Sequence, residues 1–203
     1  MAKLSEFQLD ALTEVCSMGT AYAATAVSVM IDRKINMSVP GVKLIPLAQV
    51  PQAVGNPEEL VVGVYCRILG DLSGGFVLTF PEPSAFALCD VLLDKPVGTT
   101  KTLNEMEVSV MQETGNIIAG AFVSVLARIM QKGLMISVPR IAIDMAGAII
   151  DVILIEIAEV ADEVVVMEIV FSDESKHIQG KFFILPDPRS LELLMAAVEK
   201  TST

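Results

Sequence analysis

The sequence has no tryptophan, and only two tyrosines and eight phenylalanines occur among its 203 residues. A core must therefore be built mainly from aliphatic side chains, and there are enough of them, since 53% of the residues are hydrophobic. This fraction excludes an intrinsically disordered chain, which requires low hydrophobicity. The length fits one domain, or two half-size units that share one core.

Basic residues are also few. The chain has 14 Lys and Arg against 25 Asp and Glu, which gives a formal net charge of -11. Contacts with nucleic-acid phosphates require clustered Lys and Arg, and the sequence contains no such cluster. The composition therefore predicts no nucleic-acid partner. It predicts an acidic surface that suits a protein partner with a basic patch.

Residues that bind metals or form disulfides are sparse. Cys16, Cys66 and Cys89 lie far apart, no Cys-x-x-Cys pair is present, and the chain has one histidine. This spacing argues against a disulfide framework and against a structural zinc site, and it favours a reducing compartment. We expect the chain to bind no metal or cofactor of its own.

Long apolar runs are absent as well. The longest stretch without a charge, from Val15 to Ile31, is rich in Ala, Ser, Thr and Gly. It is short for a membrane span, which takes about 20 residues. Residues 1–6 (MAKLSE) lack the apolar core of a signal peptide. The sequence therefore predicts a cytoplasmic protein without a membrane span.

The sequence does contain an internal repeat. Ser-Val-Pro occurs at residues 38–40 and again at 137–139, a separation of 99 residues (137 minus 38). In the downstream part the separation is 105 residues, as between Gly75 and Gly180. This self-similarity predicts a single domain over residues 1–203, built of two repeats at about 5–95 and 104–200. A polar connector at 94–101 joins them.

Each repeat predicts the same series of elements. A helix begins at a capping box, at Ser5 or Asn104, and runs to about Ile31 or Gln131; Gly133 would stop the second helix. An extended run into a Ser-Val-Pro turn follows, then a strand hairpin and a short helix. The predicted hairpins are 61–68 with 74–80 and 164–171 with 180–186, and the short helices are 84–93 and 189–199.

The segment 141–159 is ambiguous, because its pattern fits a helix or a short helix that runs into a strand. Taken together, the elements predict an α+β fold in which an antiparallel sheet packs against two long helices. The two units would be related by a pseudo-twofold axis.

A polar stripe on each long helix is the main candidate for chemistry. Ser109, Glu113 and Asn116 fall at i, i+4 and i+7, which places them on one helical face. The equivalent positions in the first helix are Asp10, Glu14 and Ser17, and each stripe is followed at the same distance by a proline, Pro139 or Pro40. The alternative is that both stripes are the solvated sides of amphipathic helices.

The pattern Ser109-x3-Glu113-x2-Asn116-x22-Pro139 resembles the active-site signature [D/S]-x3-E-x2-N-x22-P of the CheC/CheX/FliY family of chemotaxis phosphatases. The first stripe, Asp10-x3-Glu14-x2-Ser17-x22-Pro40, matches except that Ser17 stands where the family has Asn. The helix strings EVCSMGTAYAATAVS and ETGNIIAGAFVSVLA are also similar to those of the family. The resemblance covers essentially the whole chain, and its two sites make it most like CheC.

The resemblance implies a phosphatase that hydrolyses the aspartyl phosphate of a CheY-type response regulator. Asn116 would orient the attacking water, because a carboxamide both accepts and donates hydrogen bonds, and Glu113 would pair with a Lys of the regulator and fix the docking. Ser109 and Pro139 would support the site, Pro139 by fixing the turn under the helix. The Mg2+ would belong to the regulator.

The first site is expected to be degenerate. The hydroxyl of Ser17 has a shorter reach than a carboxamide and one donor, although Asp10 and Glu14 could still dock the regulator. Pro40 would support this site as Pro139 supports the other.

The resemblance further implies CheD, a receptor deamidase, as a second partner. The string IDMAGAI at 143–149 resembles its docking region, with Asp144 as a candidate contact. The alternative is that Ile143, Met145 and Ile149 belong to the core and Asp144 to a turn.

Two other hypotheses stay open. The chain could be a non-catalytic binding or adaptor module for a response regulator or a CheD-type deamidase. The carboxamide at position 116 favours the phosphatase, because docking alone does not require it. In the other hypothesis the stripes are only surface, and Glu113→Ala and Asn116→Ala change nothing beyond the small effects of surface substitutions.

Overall fold

The computed structural model describes residues 4–159, 161–175 and 177–201. The ends of the predicted domain, residues 1–3 and 202–203, lie outside the described residues. The helices are α1 (Glu6–Ile31), α2 (Val50–Ala53), α3 (Glu82–Leu92), α4 (Glu105–Met130), α5 (Ala146–Ala158) and α6 (Pro188–Thr201). The strands are β1 (Ile35–Pro46), β2 (Leu60–Gly70), β3 (Gly74–Pro81), β4 (Leu134–Ile136), β5 (Arg140–Met145), β6 (Glu163–Asp173) and β7 (Gln179–Pro186).

The two long helices begin at the predicted caps. Ser5 and Asn104 each accept a backbone hydrogen bond from the first turn, and in both helices the side chain at the third position bonds back to the cap. Both helices end at a residue in the left-handed conformation, Asp32 (φ 49°) and Gln131 (φ 52°). The predicted end of the second helix at about Gln131 is confirmed, but the residue that makes the left-handed turn is Gln131 and not Gly133, although a glycine makes this turn most easily.

The sheet is antiparallel at every pairing of its described strands. Its order is β1-β6-β7-β3-β2-β4, and β5 pairs with the same side of β2 as β4 does. The predicted hairpins, β2 with β3 and β6 with β7, are confirmed, and they meet at the β3–β7 pairing in the middle. The predicted α+β class with two long helices on an antiparallel sheet is likewise confirmed. The strand order is one that a pseudo-twofold axis between β3 and β7 would generate; the duplication itself stays a prediction.

Helices cover both faces of the sheet. On one face lie α1, α3, α4 and α6, and their core includes stacked Phe76 and Phe182 rings with centroids 5.3 Å apart. On the other face α5 and α2 pack over a smaller cluster that includes Ile150 and Phe183. Aliphatic side chains make up most of both clusters, as the composition predicts.

Two local predictions are wrong. Within residues 141–159, strand β5 comes first and helix α5 follows, so a helix is correct only for 146–158 and the alternative of a helix running into a strand has the order reversed. The two Ser-Val-Pro sequences are not turns. Each lies at an irregularity in a β-pairing. Residues 38–40 lie where β1 shifts register on β6, between Ser38 and Gly41. Residues 137–139 lie between β4 and β5, where these three residues are opposite two residues of β2. At both places the pairing with the neighbouring strand resumes beyond the irregularity, so the chain bends as at a β-bulge and does not reverse direction.

Helices α1 and α4 are long and apolar enough to cross a membrane, judged by length and composition alone. In the fold, however, 39% and 50% of their most apolar windows are buried against the rest of the protein. Core helices of soluble proteins pass the same test, so this is weak evidence for a span. The absence of a membrane span stays a prediction.

Candidate functional site

The α4 stripe lies on the side of the helix that faces solvent. Ser109, Glu113 and Asn116 are all exposed, so the fold brings the predicted residues together on one accessible surface. Within the described residues, the side chains of Glu113 and Asn116 make no hydrogen bond or ion pair. Their polar groups are therefore available to an outside partner.

The opposite side of α4 holds the helix tightly on the sheet. Met111, Ile118 and Phe122 are fully or almost fully buried. A Cβ placed on Gly115, directly before Asn116, would lie 2.5 Å from Cγ1 of Val64 on β2, which is closer than real Cβ contacts allow. Only a glycine permits this approach. The backbone that carries the stripe therefore rests directly on the sheet.

The first turn of α4 is also fixed. The carboxylate of buried Glu107 accepts a hydrogen bond from Lys95 Nζ at 2.8 Å and another from the backbone of Asn104. The Lys95 bond holds the pKa of Glu107 below its ordinary value, and the same pair raises the pKa of Lys95. This ion pair joins the connector between the predicted repeats to the start of the helix.

Pro139 is buried beside the stripe, in the bulge formed by residues 137–139 (hereafter the 137–139 bulge). Its carbonyl accepts a hydrogen bond from Gln112 Nε2 at 3.0 Å. Ser137 is fixed to β2 by two bonds with Arg67: Ser137 N donates to the Arg67 carbonyl, and Arg67 N donates to Ser137 Oγ. The bulge is thus attached to the helix at one end and to the sheet at the other.

Gln112 was missed by the sequence reasoning. The available signal was a break in the repeat, because the residue 99 positions earlier is Thr13. A threonine there cannot reach a neighbouring segment as a glutamine does.

The stripe on α1 is exposed as well, and α1 packs on the same face of the sheet as α4. Asp10, Glu14 and Ser17 face solvent. The hydroxyl of Ser17 donates to the Thr13 carbonyl of its own helix at 2.8 Å, so its one proton is not directed outward. Pro40 is exposed, unlike Pro139. The first site therefore differs from the second in its proline as well as in its carboxamide.

The cysteine thiols are not part of this surface. All three cysteines are buried, and burial raises the pKa of each thiol to about 12. Their thiolates are therefore not available as nucleophiles near neutral pH. Among the described residues, no group of three or more His, Cys, Asp and Glu is placed to hold a metal ion.

Asp144 lies in β5, where its carboxylate accepts a hydrogen bond from the Met145 backbone at 2.8 Å. It is a strand residue paired with Val61 and not a turn residue. Ile143 and Met145 are each 49% exposed, whereas Ile149 is buried. The assignment of all three to the core is therefore correct only for Ile149.

Comparison with known proteins places these residues in a family. The model of the CheC-like family matches residues 106–143, the segment that contains Ser109, Glu113, Asn116 and Pro139. The CheY-P phosphatase CheC of Bacillus subtilis (strain 168) is 32% identical over 199 residues, which cover 96% of this chain and 95% of that protein. The chain belongs to the CheC-like family.

Solved structures share the fold of this CheC-like protein. FliY of Thermotoga maritima superposes with a TM-score of 0.76 at 19% identity, over 98% of this chain and 99% of that one. CheX in the CheX-CheY-BeF3-Mg2+ complex of Borrelia burgdorferi gives 0.55 at 16% identity, over 84% of this chain and 96% of that one. At these identities the likeness shows the fold alone.

Proposed function

We propose that this protein hydrolyses the aspartyl phosphate of a CheY-type response regulator. The observation that carries the proposal is the pair Glu113 and Asn116, an acid and a carboxamide that stand exposed and unbonded on a firmly held helix. A relative that matches almost the full length is named a CheY-P phosphatase, which supports the same activity.

Asn116 is assigned to the attacking water. An aspartyl phosphate is an acyl phosphate and already activated, so its hydrolysis depends mostly on placing a water in line with the leaving carboxylate. The carbonyl oxygen of a carboxamide accepts a hydrogen bond from that water, and its NH2 group donates to a phosphoryl oxygen or to a second acceptor. An exposed carboxamide on a rigid helix meets both requirements.

Glu113 is assigned to docking. It lies about one helical turn from Asn116, and its carboxylate has no cation of its own within the described residues. A lysine of the regulator's active site would supply that cation and fix the orientation of the two proteins. The Mg2+ that supports the reaction would be bound by the regulator, and the protein would act in the cytoplasm, where such regulators work.

The deciding experiment follows the loss of the phosphoryl group from a phosphorylated CheY-type regulator in the presence of Mg2+. The purified protein should accelerate this loss well beyond the regulator's own rate. Binding to the regulator without acceleration would instead establish the binding or adaptor module.

The α1 site is expected to be dormant and partly recoverable. In an Asn116→Ala background, any accelerated decay must come from the first stripe, so Ser17→Asn introduced there should restore measurable activity. In the wild-type background the same change should raise the rate by no more than about twofold, because at best it adds a second equal site. Thr25→Asn, at another exposed position on α1, is the matched control. No recovery in the Asn116→Ala background would show that the first stripe lacks more than a carboxamide.

A second surface supports a CheD-type deamidase as an additional partner. Helix α5 leaves Val152 and Ile155 53% and 66% exposed, next to the strand that carries Asp144. We expect Ile155→Asp to weaken binding of a CheD-type protein by roughly tenfold or more, since a central apolar contact is lost. Val29→Asp changes an exposed apolar residue on a different helix, α1, and should leave the affinity for the CheD-type protein unchanged. Calorimetry measures both affinities. Equal affinities for both variants would place the partner elsewhere.

A further inference from the structure

The hydrogen bond from Gln112 to the Pro139 carbonyl singles out one side of the α4 stripe. With 3.6 residues per turn, Asn116 lies about 20° from Ser109 around the helix, on the side away from Glu113, and Gln112 lies about 40° beyond Asn116. The 137–139 bulge follows on that side, because Gln112 bonds to it and its proline lies 3.9 Å from a Cβ built on Gly115. Asn116 therefore stands between Glu113 and the bulge.

The bulge carries one exposed apolar side chain. Val138 is 82% exposed, although its neighbour Pro139 is buried and Ser137 is bonded to β2. A valine held out to solvent between two fixed residues gives up apolar contact that it could make elsewhere in the fold. That contact is available to a partner of the protein.

The first half of the chain provides an internal comparison. It has an equivalent bulge in β1, with Pro40 in the place of Pro139. Thr13, in the place of Gln112, donates its hydroxyl to Leu9 of its own helix at 2.8 Å and so does not attach the bulge to the helix. Pro40 is exposed. The attachment of bulge to helix through a carboxamide is therefore a property of the second site.

We propose that Gln112 is a positioning residue: it fixes the 137–139 bulge as a wall beside Asn116, and Val138 on that wall contacts the phosphorylated regulator. The inference rests on the proposed phosphatase function. It assigns Gln112 to affinity for the regulator, through Val138, and leaves the chemical step to Asn116. The affinity of the site for the regulator then depends on a hydrogen bond within this protein, between groups that do not contact the regulator.

The test compares wild type, Gln112→Met, Val138→Ser and the double variant, in the full chain. Methionine keeps the length of glutamine but cannot donate. Gln112→Met should raise both the KM for the phosphorylated regulator and the Kd for the beryllofluoride-treated regulator by about three- to tenfold, as expected for one hydrogen bond. The value of kcat should stay within about twofold of wild type. Val138→Ser should also raise KM and Kd. In the double variant the factor by which Kd rises should be smaller than the product of the two factors measured for the single variants.

Two controls separate positioning from general damage. Thr13→Val, the matched change in the first half, should leave KM and Kd unaltered. Gln112→Lys, which keeps a donor of similar reach, should restore most of the affinity even if Gln112→Met lowers the stability of the protein.

The proposal is overturned if Gln112→Met leaves Kd unchanged or lowers kcat alone. It is also overturned if the rise in Kd of the double variant equals the product of the rises in the two single variants. Failure of the phosphatase function looks different. In that case wild type binds the treated regulator without speeding decay, and the Kd series still decides the role of Gln112. Absence of binding by wild type would overturn both proposals.

Discussion

Asn116→Ala should reduce the accelerated loss of phosphate from the regulator by roughly 100-fold, to a rate close to the regulator's own, because a misplaced water costs about that factor. The value of KM should change little, since the side chain acts on the water and not on docking. Rates of decay at several regulator concentrations, measured with phosphorylated protein and Mg2+, separate the two constants.

Two further substitutions on α4 test whether this result is specific to Asn116. Glu113→Ala should instead raise KM with a smaller effect on kcat, because it removes the docking charge. Ser124→Ala, an exposed position farther along the same helix, should behave as wild type. All three side chains are exposed, so unfolding free energies should stay within about 0.5 kcal/mol of wild type. If neither Asn116→Ala nor Glu113→Ala alters decay, the stripe is only a solvated helix face.

Asp90→Ala should lower the unfolding free energy by about 3 kcal/mol, because four donors, two of them on buried Thr100, would lose their acceptor. The Asp90 side chain is fully buried at the end of α3. Its two oxygens accept bonds of 2.6–2.9 Å from the Thr100 hydroxyl and from the backbone N–H groups of Gly98, Thr99 and Thr100. One carboxylate therefore organises the connector between the predicted repeats. Urea denaturation at neutral pH measures the loss, with Asp151→Ala, an exposed position on α5, as the control.

The contribution of Asp90 should also depend on pH. Burial opposes ionisation, but the bonds from Thr100, Gly98 and Thr99 outweigh it and hold the pKa of Asp90 below its ordinary value of 3.8. A carboxylate with a lowered pKa in the folded state stabilises the protein above that ordinary value, and the contribution is lost as the pH falls through the folded pKa. The difference in stability between wild type and Asp90→Ala should therefore be constant near pH 7 and shrink below about pH 4. A constant difference down to pH 2 would show that the carboxylate charge is not responsible.

The sequence predicts best those features that depend on local chemistry. The caps at Ser5 and Asn104 and the two hairpins follow from residues only a few positions apart, and the periodicity of α4 places Ser109, Glu113 and Asn116 on one face. The residues of the site can be named from their spacing for the same reason, because a helix converts a spacing directly into a surface.

Features that depend on partners distant in sequence could not be predicted in this way. The order of strand and helix in 141–159 is decided by pairing of β5 with β2, about 80 residues earlier, and the apolar sequence IIDVILIEI fits either element. The 137–139 segment reads as a turn because of its proline, but Arg67 and Gln112 hold it in a bulge. No local rule identifies a glutamine as the partner of a carbonyl 27 residues away.

The strand order has a consequence for how the protein is made. The sheet partner of β1 is β6, so every pairing from Ile35↔Asp173 to Pro46↔Glu163 joins the early part of the chain to its last quarter. During synthesis, β1 must wait beside α1 with both of its edges open until residues 163–173 have left the ribosome. Contacts this distant in sequence close slowly, and a waiting edge strand is a place where two nascent chains can join. The step most exposed to aggregation is therefore the arrival of β6.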